Sequence, residues 1–318
     1  MARTSNYDTA PRKRHRLRSA GIAVVAIGLA WGADRAFNNS NLSGSFKADS
    51  ANIGPAMPTA HPTKYVNAQV VAADPYVASF NTLARTIPGD VGLAYTSIGK
   101  AGIVHSYGTL ISGPAWSTSK VPVALAYEAQ VNGNPDVAGT NNLERAITQS
   151  NNDAANALWA QLGSNAVAAQ KTQAVLRAGD DATSTVPSQW SNRPGIATIF
   201  GQTEWSLSDQ ARFAAHLKCI PYSAPVIRLM GQIIPSQSWG IGKTDAQASS
   251  VFKDGWSASG AGQLTRQMAI VHTPRGEDYA LTMATTPSDG NFATGQANIT
   301  ALAQWAVATI EGVPKGSC

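Results

Sequence analysis

The sequence predicts an α+β fold, an α/β sandwich. One antiparallel sheet is flanked by N- and C-terminal helices, with a mainly helical subdomain between the strand groups. Two observations carry this. The apolar pattern alternates between a helical period of about 3.6 residues and a strand period of about 2, giving helix, two strands, helical middle, three or more strands, helix. A chain of 318 residues with 43 % hydrophobic and 14 % charged side chains also has the apolar content for a sizeable core and a rather neutral surface.

The N-terminal part is organised differently. Residues 1–18 form a basic tail, assigned to the cytoplasm, with Arg3, Arg12, Lys13, Arg14, Arg16 and Arg18 against the single acid Asp8. Without the first 20 residues the chain holds 18 basic and 18 acidic groups. The basic character therefore belongs to the tail and gives no nucleic-acid-binding face. The apolar stretch of residues 19–33 is read as a signal peptide or signal anchor, short of the about 20 residues of a stable span. It would contact the membrane or the export machinery and place the remainder of the chain outside the cytoplasm. Residues 34–74, rich in Asn, Ser, Ala and Pro, read as a flexible linker. The folded domain spans residues 75–318 and is expected to be a monomer.

Within it, Tyr76, Val77, Phe80, Leu83, Ala84 and Ile87 recur at helical spacing, closed by Pro88 and Gly89. Residues 91–96 and 103–108 alternate as a hairpin. A helix then runs to about Gln130, with Pro122 near its first turn, where proline is tolerated. A helical region runs from about Asn142 to Leu162, then a less regular stretch from 179 to 204, then a helix from Ser208 to Lys218 capped by Ser206 or Ser208. Strands are expected at Trp239–Gly242, Ser250–Asp254, Gln267–His272 and 279–285, and a last helix at about Asn298–Glu311.

The candidate chemistry begins at Ser117-Thr118-Ser119-Lys120. Ser and Lys three apart on a helix share a face, and a helix start offers free N–H groups. This is the layout of a serine nucleophile activated without histidine. The histidines, His15, His61, His105, His216 and His272, have no metal spacing, and no metal or cofactor is implied. A Ser-His-Asp triad remains an alternative, although Gly-x-Ser-x-Gly is absent. Cys219 and Cys318 suit one disulfide in an exported protein, or two free thiols.

After Ser-x-x-Lys come Ser150-Asn151-Asn152 within Ala146–Asn156, and then Lys253-Asp254-Gly255 on a late strand. In this order the motifs resemble those of the penicillin-recognising serine hydrolases, which include class A β-lactamases and D-Ala-D-Ala peptidases. The resemblance covers about residues 75–315 and implies a β-lactamase-like fold. It also implies roles. Ser117 would form an acyl-enzyme, Lys120 would act as base or keep the field positive, and Ser150 would relay a proton to the leaving nitrogen. Asn152 would bind the substrate amide and Lys253 would line the cleft. Gly255 would allow close approach, and the N–H groups of Ser117 and Trp256 would form the oxyanion hole. The bland alternatives are a polar capping turn at 150–152 and an ordinary edge lysine at 253. Lys243, in Gly242-Lys243-Thr244, competes as the third motif but reads as a turn.

Three features depart from the family. No Glu lies between Glu144 and Glu204, where class A β-lactamases carry the residue held to activate the deacylating water; Asp153, Asp180 and Asp181 are the acids there. Asp254 replaces the usual Thr or Ser and would repel a substrate carboxylate unless it turns away or pairs with Lys253. Asn151 replaces the usual Asp, and only 33 positions separate Ser117 from Ser150, which implies a trimmed helical lid.

The sequence thus points to an exported serine hydrolase acting on an amide or ester through an acyl-serine. Its substrate would be a small molecule or peptide of the cell-wall-peptide or β-lactam class. The alternatives are a true class A-like β-lactamase with unusual deacylation and a catalytically weak cell-wall-binding protein. If the disulfide forms, Cys219 and Cys318 should resist alkylation until a reductant is added, as mass spectrometry would show; alkylation beforehand means free thiols.

Overall fold

A computed structural model describes residues 74–99, 102–191, 195–260 and 262–318. The basic tail, the apolar segment and most of the linker lie outside these residues. Among the described residues no helix is long and apolar enough to cross a membrane.

The expected sheet is present. Strands β1 (Gly89–Ser97), β2 (His105–Gly108), β5 (Val251–Trp256), β6 (Thr265–His272) and β7 (Asp278–Pro287) form it in the order β2-β1-β7-β6-β5, antiparallel throughout. The join is β1 with β7, paired without a slip from Gly89 opposite Pro287 to Ser97 opposite Tyr279. Alternation decides the two faces. Val91, Leu93, Tyr95, Phe252, Tyr279, Leu281 and Met283 pack with helices α1 (Val77–Ala84) and α8 (Phe292–Thr309), through Phe80, Ile299, Leu302 and Ala306. Met268, Ile270 and Ala280 face the helical subdomain.

That subdomain holds α2 (Lys120–Gln130), α3 (Val137–Thr148), α4 (Asn152–Gln161), α5 (Asn165–Ala178) and α7 (Ala224–Met230). Helix α6 (Leu207–His216) lies on the sheet against Ala94 and Ala284, with Ser206 Oγ capping it by accepting from Asp209 N at 3.0 Å. A small ribbon, β3 (Ser112–Pro114) with β4 (Glu204–Ser206), joins the chain where it enters and leaves the subdomain.

Several expectations are corrected. Trp239–Gly242 is no strand: Gly240–Lys243 is a 3₁₀ turn, with Gly240 at φ 60° and Ile241 N held by Gln267 Oε1 at 2.8 Å. The helical region 142–162 is two helices, because Ser150 takes φ 54° and Asn151 Oδ1 starts α4 by accepting from Ala154 N. The last helix begins earlier, at Phe292, capped by Asn291. Two further helices, Ala-rich α5 and the short α7, lie where the sequence predicts none.

Cys219 and Cys318 are disulfide-bonded, with Cα atoms 5.2 Å apart, and tie the C-terminus to the end of the helical region. Glu128 on α2 is fully buried, and neither carboxylate oxygen finds a hydrogen bond among the described residues. Burial pushes its pKa up, with Arg228 pulling the other way. A carboxyl whose pKa is raised by folding costs nothing below its unfolded value and destabilises increasingly as pH rises through it. Glu128→Met should therefore stabilise the chain more at pH 7, where it removes an unpaired buried charge, than at pH 4, where it removes only an unpaired neutral carboxyl. Thermal unfolding at both pH values checks this, and equal shifts at both would contradict it.

Candidate active site

The 3₁₀ turn Trp116–Ser119 leads directly into α2 and presents Ser117 half-buried at the surface. Trp116 has φ 48°, a left-handed conformation that is rare for a bulky residue. It bends the chain into the turn, so that Ser117 lies in its first residues, where N–H groups lack intrahelical acceptors.

Lys120 is 1 % exposed and makes four close contacts. Its Nζ lies 2.6 Å from Ser117 Oγ, 2.8 Å from Ser150 O, 2.7 Å from Asn152 Oδ1 and 3.4 Å from Ser150 Oγ. The carbonyl and the amide oxygen can only accept. A neutral amine therefore spends its two N–H groups there and has its lone pair for the hydroxyl of Ser117. Burial lowers the pKa of Lys120 well below the usual lysine value, and the charge of Lys253 lowers it further.

Lys253, fully buried on β5, donates to Ser150 Oγ at 3.1 Å and to the carbonyl of Asp254 at 3.2 Å. Ser150 Oγ thus stands between the two amines. Strand β5 is a sheet edge laid against the Ser117 turn: a Cβ on Gly255 would come 2.8 Å from Ala115 O and 3.0 Å from Ser117 N. Ser257 N bonds back to Leu264 O, so by strand alternation Trp256 N–H projects from the open edge. Trp256 stacks on Phe292, with ring centroids 5.2 Å apart.

The residues named from sequence, Ser117, Lys120, Ser150, Asn152 and Lys253, are thus joined by direct contacts, with Gly255 against the turn. Asp254 turns away. It is fully buried on the opposite face of β5, where Gln267 Nε2 donates to its Oδ1 at 2.7 Å. Lys243 is exposed in its own turn and joins nothing here. Asp181 is fixed as a structural group, accepting from Thr183 N and Ser184 N beside Arg177; Asp153 and Asp180 are exposed. His105 bonds Asp74, His216 the carbonyl of Arg212, and His272 Asp278, so no described histidine contacts Ser117. Among the described residues no group of His, Cys, Asp and Glu could hold a metal ion. A cavity of about 510 Å³ lined by Ile233, Ser238, Thr244, Gln247 and Phe252 contains none of the site groups.

Sequence reasoning missed Arg266. Fully buried on β6 opposite Gly255, it donates to Gly113 O (2.8 Å), Pro114 O (3.1 Å), Trp205 O (3.2 Å) and Gln210 Oε1 (2.7 Å). Gln210 in turn donates to Thr118 Oγ1 at 2.9 Å, which extends the brace to the Ser117 turn. Burial lowers the pKa of Arg266 to about 10. An Arg inside a run of apolar and neutral residues was the available signal. Arg266→Leu should leave these acceptors unsatisfied and cost about 3 kcal/mol or more, roughly 10 °C in Tm. An unchanged Tm would contradict the bracing role.

No family model matches the chain, and no curated protein matches it by sequence. Solved structures do match. A variant of the last common ancestor of Gram-negative bacterial class A β-lactamases is 19 % identical, covers 75 % of this chain and 99 % of its own, and superimposes with a TM-score of 0.56. The putative class A β-lactamase PenP from Rhodopseudomonas palustris is 16 % identical, covering 74 % and 99 %, with a TM-score of 0.55. A β-lactamase from Chitinophaga pinensis is 15 % identical, covering 73 % and 98 %, also at 0.55. The chain therefore has the class A β-lactamase-like fold.

Proposed function

We propose that this protein is a serine hydrolase that cleaves an amide or ester through an acyl-serine at Ser117. The observation that carries the reading is the 2.6 Å contact between Ser117 Oγ and the Nζ of a buried lysine whose other close partners are neutral acceptors. Lys120 takes the proton as Ser117 Oγ bonds the carbonyl carbon. The N–H groups of Ser117 and Trp256 receive the oxyanion, a type of contact worth about 3–4 kcal/mol per donor in comparable sites. The proton then passes through Ser150 Oγ to the leaving nitrogen. Asn152 uses Oδ1 on Lys120, which leaves its Nδ2 to donate to a substrate carbonyl. Lys253 contributes positive charge to the cleft floor.

The substrate class we favour is a cell-wall peptide or β-lactam. Asp254 turns from the cleft, so it does not oppose a substrate carboxylate at contact distance. Water attack on the acyl-enzyme has no carboxylate base among the described contacts of Ser117, which supports a long-lived adduct with penicillins. The disulfide and the N-terminal sequence support an oxidising site outside the cytoplasm, either secreted or anchored.

Incubation with a fluorescent penicillin and with a fluorophosphonate, followed by mass spectrometry, tests this. The expected result is a stable adduct on Ser117 that is abolished in Ser117→Ala and slowed by about 10²-fold or more in Lys120→Met. Rapid penicillin loss without a lasting adduct would indicate a β-lactamase. Failure of both probes would indicate a binding protein and end the hydrolase reading.

A further inference from the structure

Two buried amines share one hydroxyl in this site. Lys120 and Lys253 approach Ser150 Oγ at 3.4 and 3.1 Å. Two ammonium groups so placed repel each other, and burial disfavours each, so the arrangement favours a single charge between them. Motif order does not say which amine keeps it.

One asymmetry does. Lys253 is followed on its strand by Asp254, fully buried, with Oδ1 held by Gln267 and Oδ2 without a hydrogen-bond partner among the described residues. Lys120 has no carboxylate among its contacts. Among the described residues no other cation contacts Asp254 on its own face. β6 supplies neutral Gln267 there, the Gly240–Lys243 turn sends Lys243 to solvent, and α8 carries no charged residue. On the cleft face, Arg266 is engaged with carbonyls and Gln210, while Arg228 of α7 is exposed. Burial lowers Lys253 and raises Asp254, and the charge of each acts against the shift of the other, with the Gln267 hydrogen bond also favouring ionised Asp254.

We propose that Asp254 is a positioning residue: a buried carboxyl next to Lys253 whose ionised form keeps the proton on Lys253 and so leaves Lys120 as the amine free to accept the proton of Ser117. This rests on the reading of Ser117 as nucleophile. In the acylation step the O–H bond of Ser117 breaks as its oxygen bonds the carbonyl carbon, and the carbonyl π pair moves to oxygen. The proton resides on Lys120 Nζ until the carbon–nitrogen bond breaks, and then reaches the leaving nitrogen through Ser150. Lys253 keeps its own proton throughout.

Lysine ¹³Cε NMR of the full chain, assigned with Lys120→Met and Lys253→Met, reads the proton order directly. At pH 7 Lys253 should be charged and Lys120 neutral; the reverse overturns the proposal. Asp254→Asn retains the acceptor for Gln267. It should lower the pH at which Lys253 deprotonates by about one unit or more and slow fluorophosphonate labelling of Ser117 at pH 8 about tenfold. In a Lys253→Met background the same change should leave labelling unaltered, because the group it acts through is gone. Equal slowing in both backgrounds, or none in either, overturns the proposal. If Asp254→Asn fails to fold, the proton order in the unaltered chain still decides. Absence of labelling in the unaltered chain at every pH would remove the nucleophile itself, an outcome the NMR order tells apart from a misplaced proton.

Discussion

Burying two lysine amines around one serine hydroxyl is the constraint to which the rest of the site answers. An isolated ammonium in a protein interior is costly, so it is found either with hydrogen-bond acceptors on all sides or without its proton. Lys120 meets this with a backbone carbonyl, an amide oxygen and a hydroxyl. Lys253 meets it with a hydroxyl, a carbonyl and a nearby acid on the far face of its strand. The two amines are held by different kinds of neighbour, and that difference is what the proposed division of roles between them rests on.

The fold supplies these neighbours from three places. The Ser117 turn comes from the connection out of the small ribbon, Ser150 and Asn152 from the break between α3 and α4, and Lys253 from the edge of the sheet. Each needs an unusual local conformation or brace. Trp116 and Ser150 take left-handed backbone angles that rigid surroundings must maintain. Gly255 lets the edge strand approach within the space a methyl group would fill. Arg266 ties the carbonyls of Gly113 and Pro114 to the sheet and so fixes where the nucleophile turn begins. Preorganisation of this sort places charge and hydrogen-bond donors before any substrate arrives.

The segment between α5 and β4 shows how the site departs from the resemblance. Its buried acid, Asp181, uses Oδ1 on the turn it caps, beside Arg177, while its Oδ2 has no hydrogen-bond partner among the described residues. Near the Ser117 turn the segment brings Gly201 against Trp116. Under the proposed acyl-serine reading, acylation and deacylation would be unequally equipped: amines and hydroxyls would serve the first, and no carboxylate contacts Ser117 among the described residues to serve the second.

Much of this was legible in the chain because local periodicity and motif order reflect local physics. The alternation in β1, β6 and β7, the cap at Ser206 and the helix after Ser117 arise from side-chain patterns within a few residues. The three motifs supplied Ser117, Lys120, Ser150, Asn152 and Lys253, which the structure joins by direct contacts. The missed elements had weak local signals: Ala-rich α5, short α7, and Trp239–Gly242, whose apolar residues suggested a strand although Gly240 and Gln267 fold it into a turn. What only the tertiary structure decided was which way Asp254 points, which amine has an acid beside it, and what Arg266 holds. These depend on strand register and on groups far apart in sequence, such as Asp254 with Gln267 and Arg266 with Gly113. A linear sequence gives residue types and spacing, whereas charge states inside a protein are set by burial and neighbours, which exist only after the chain has packed.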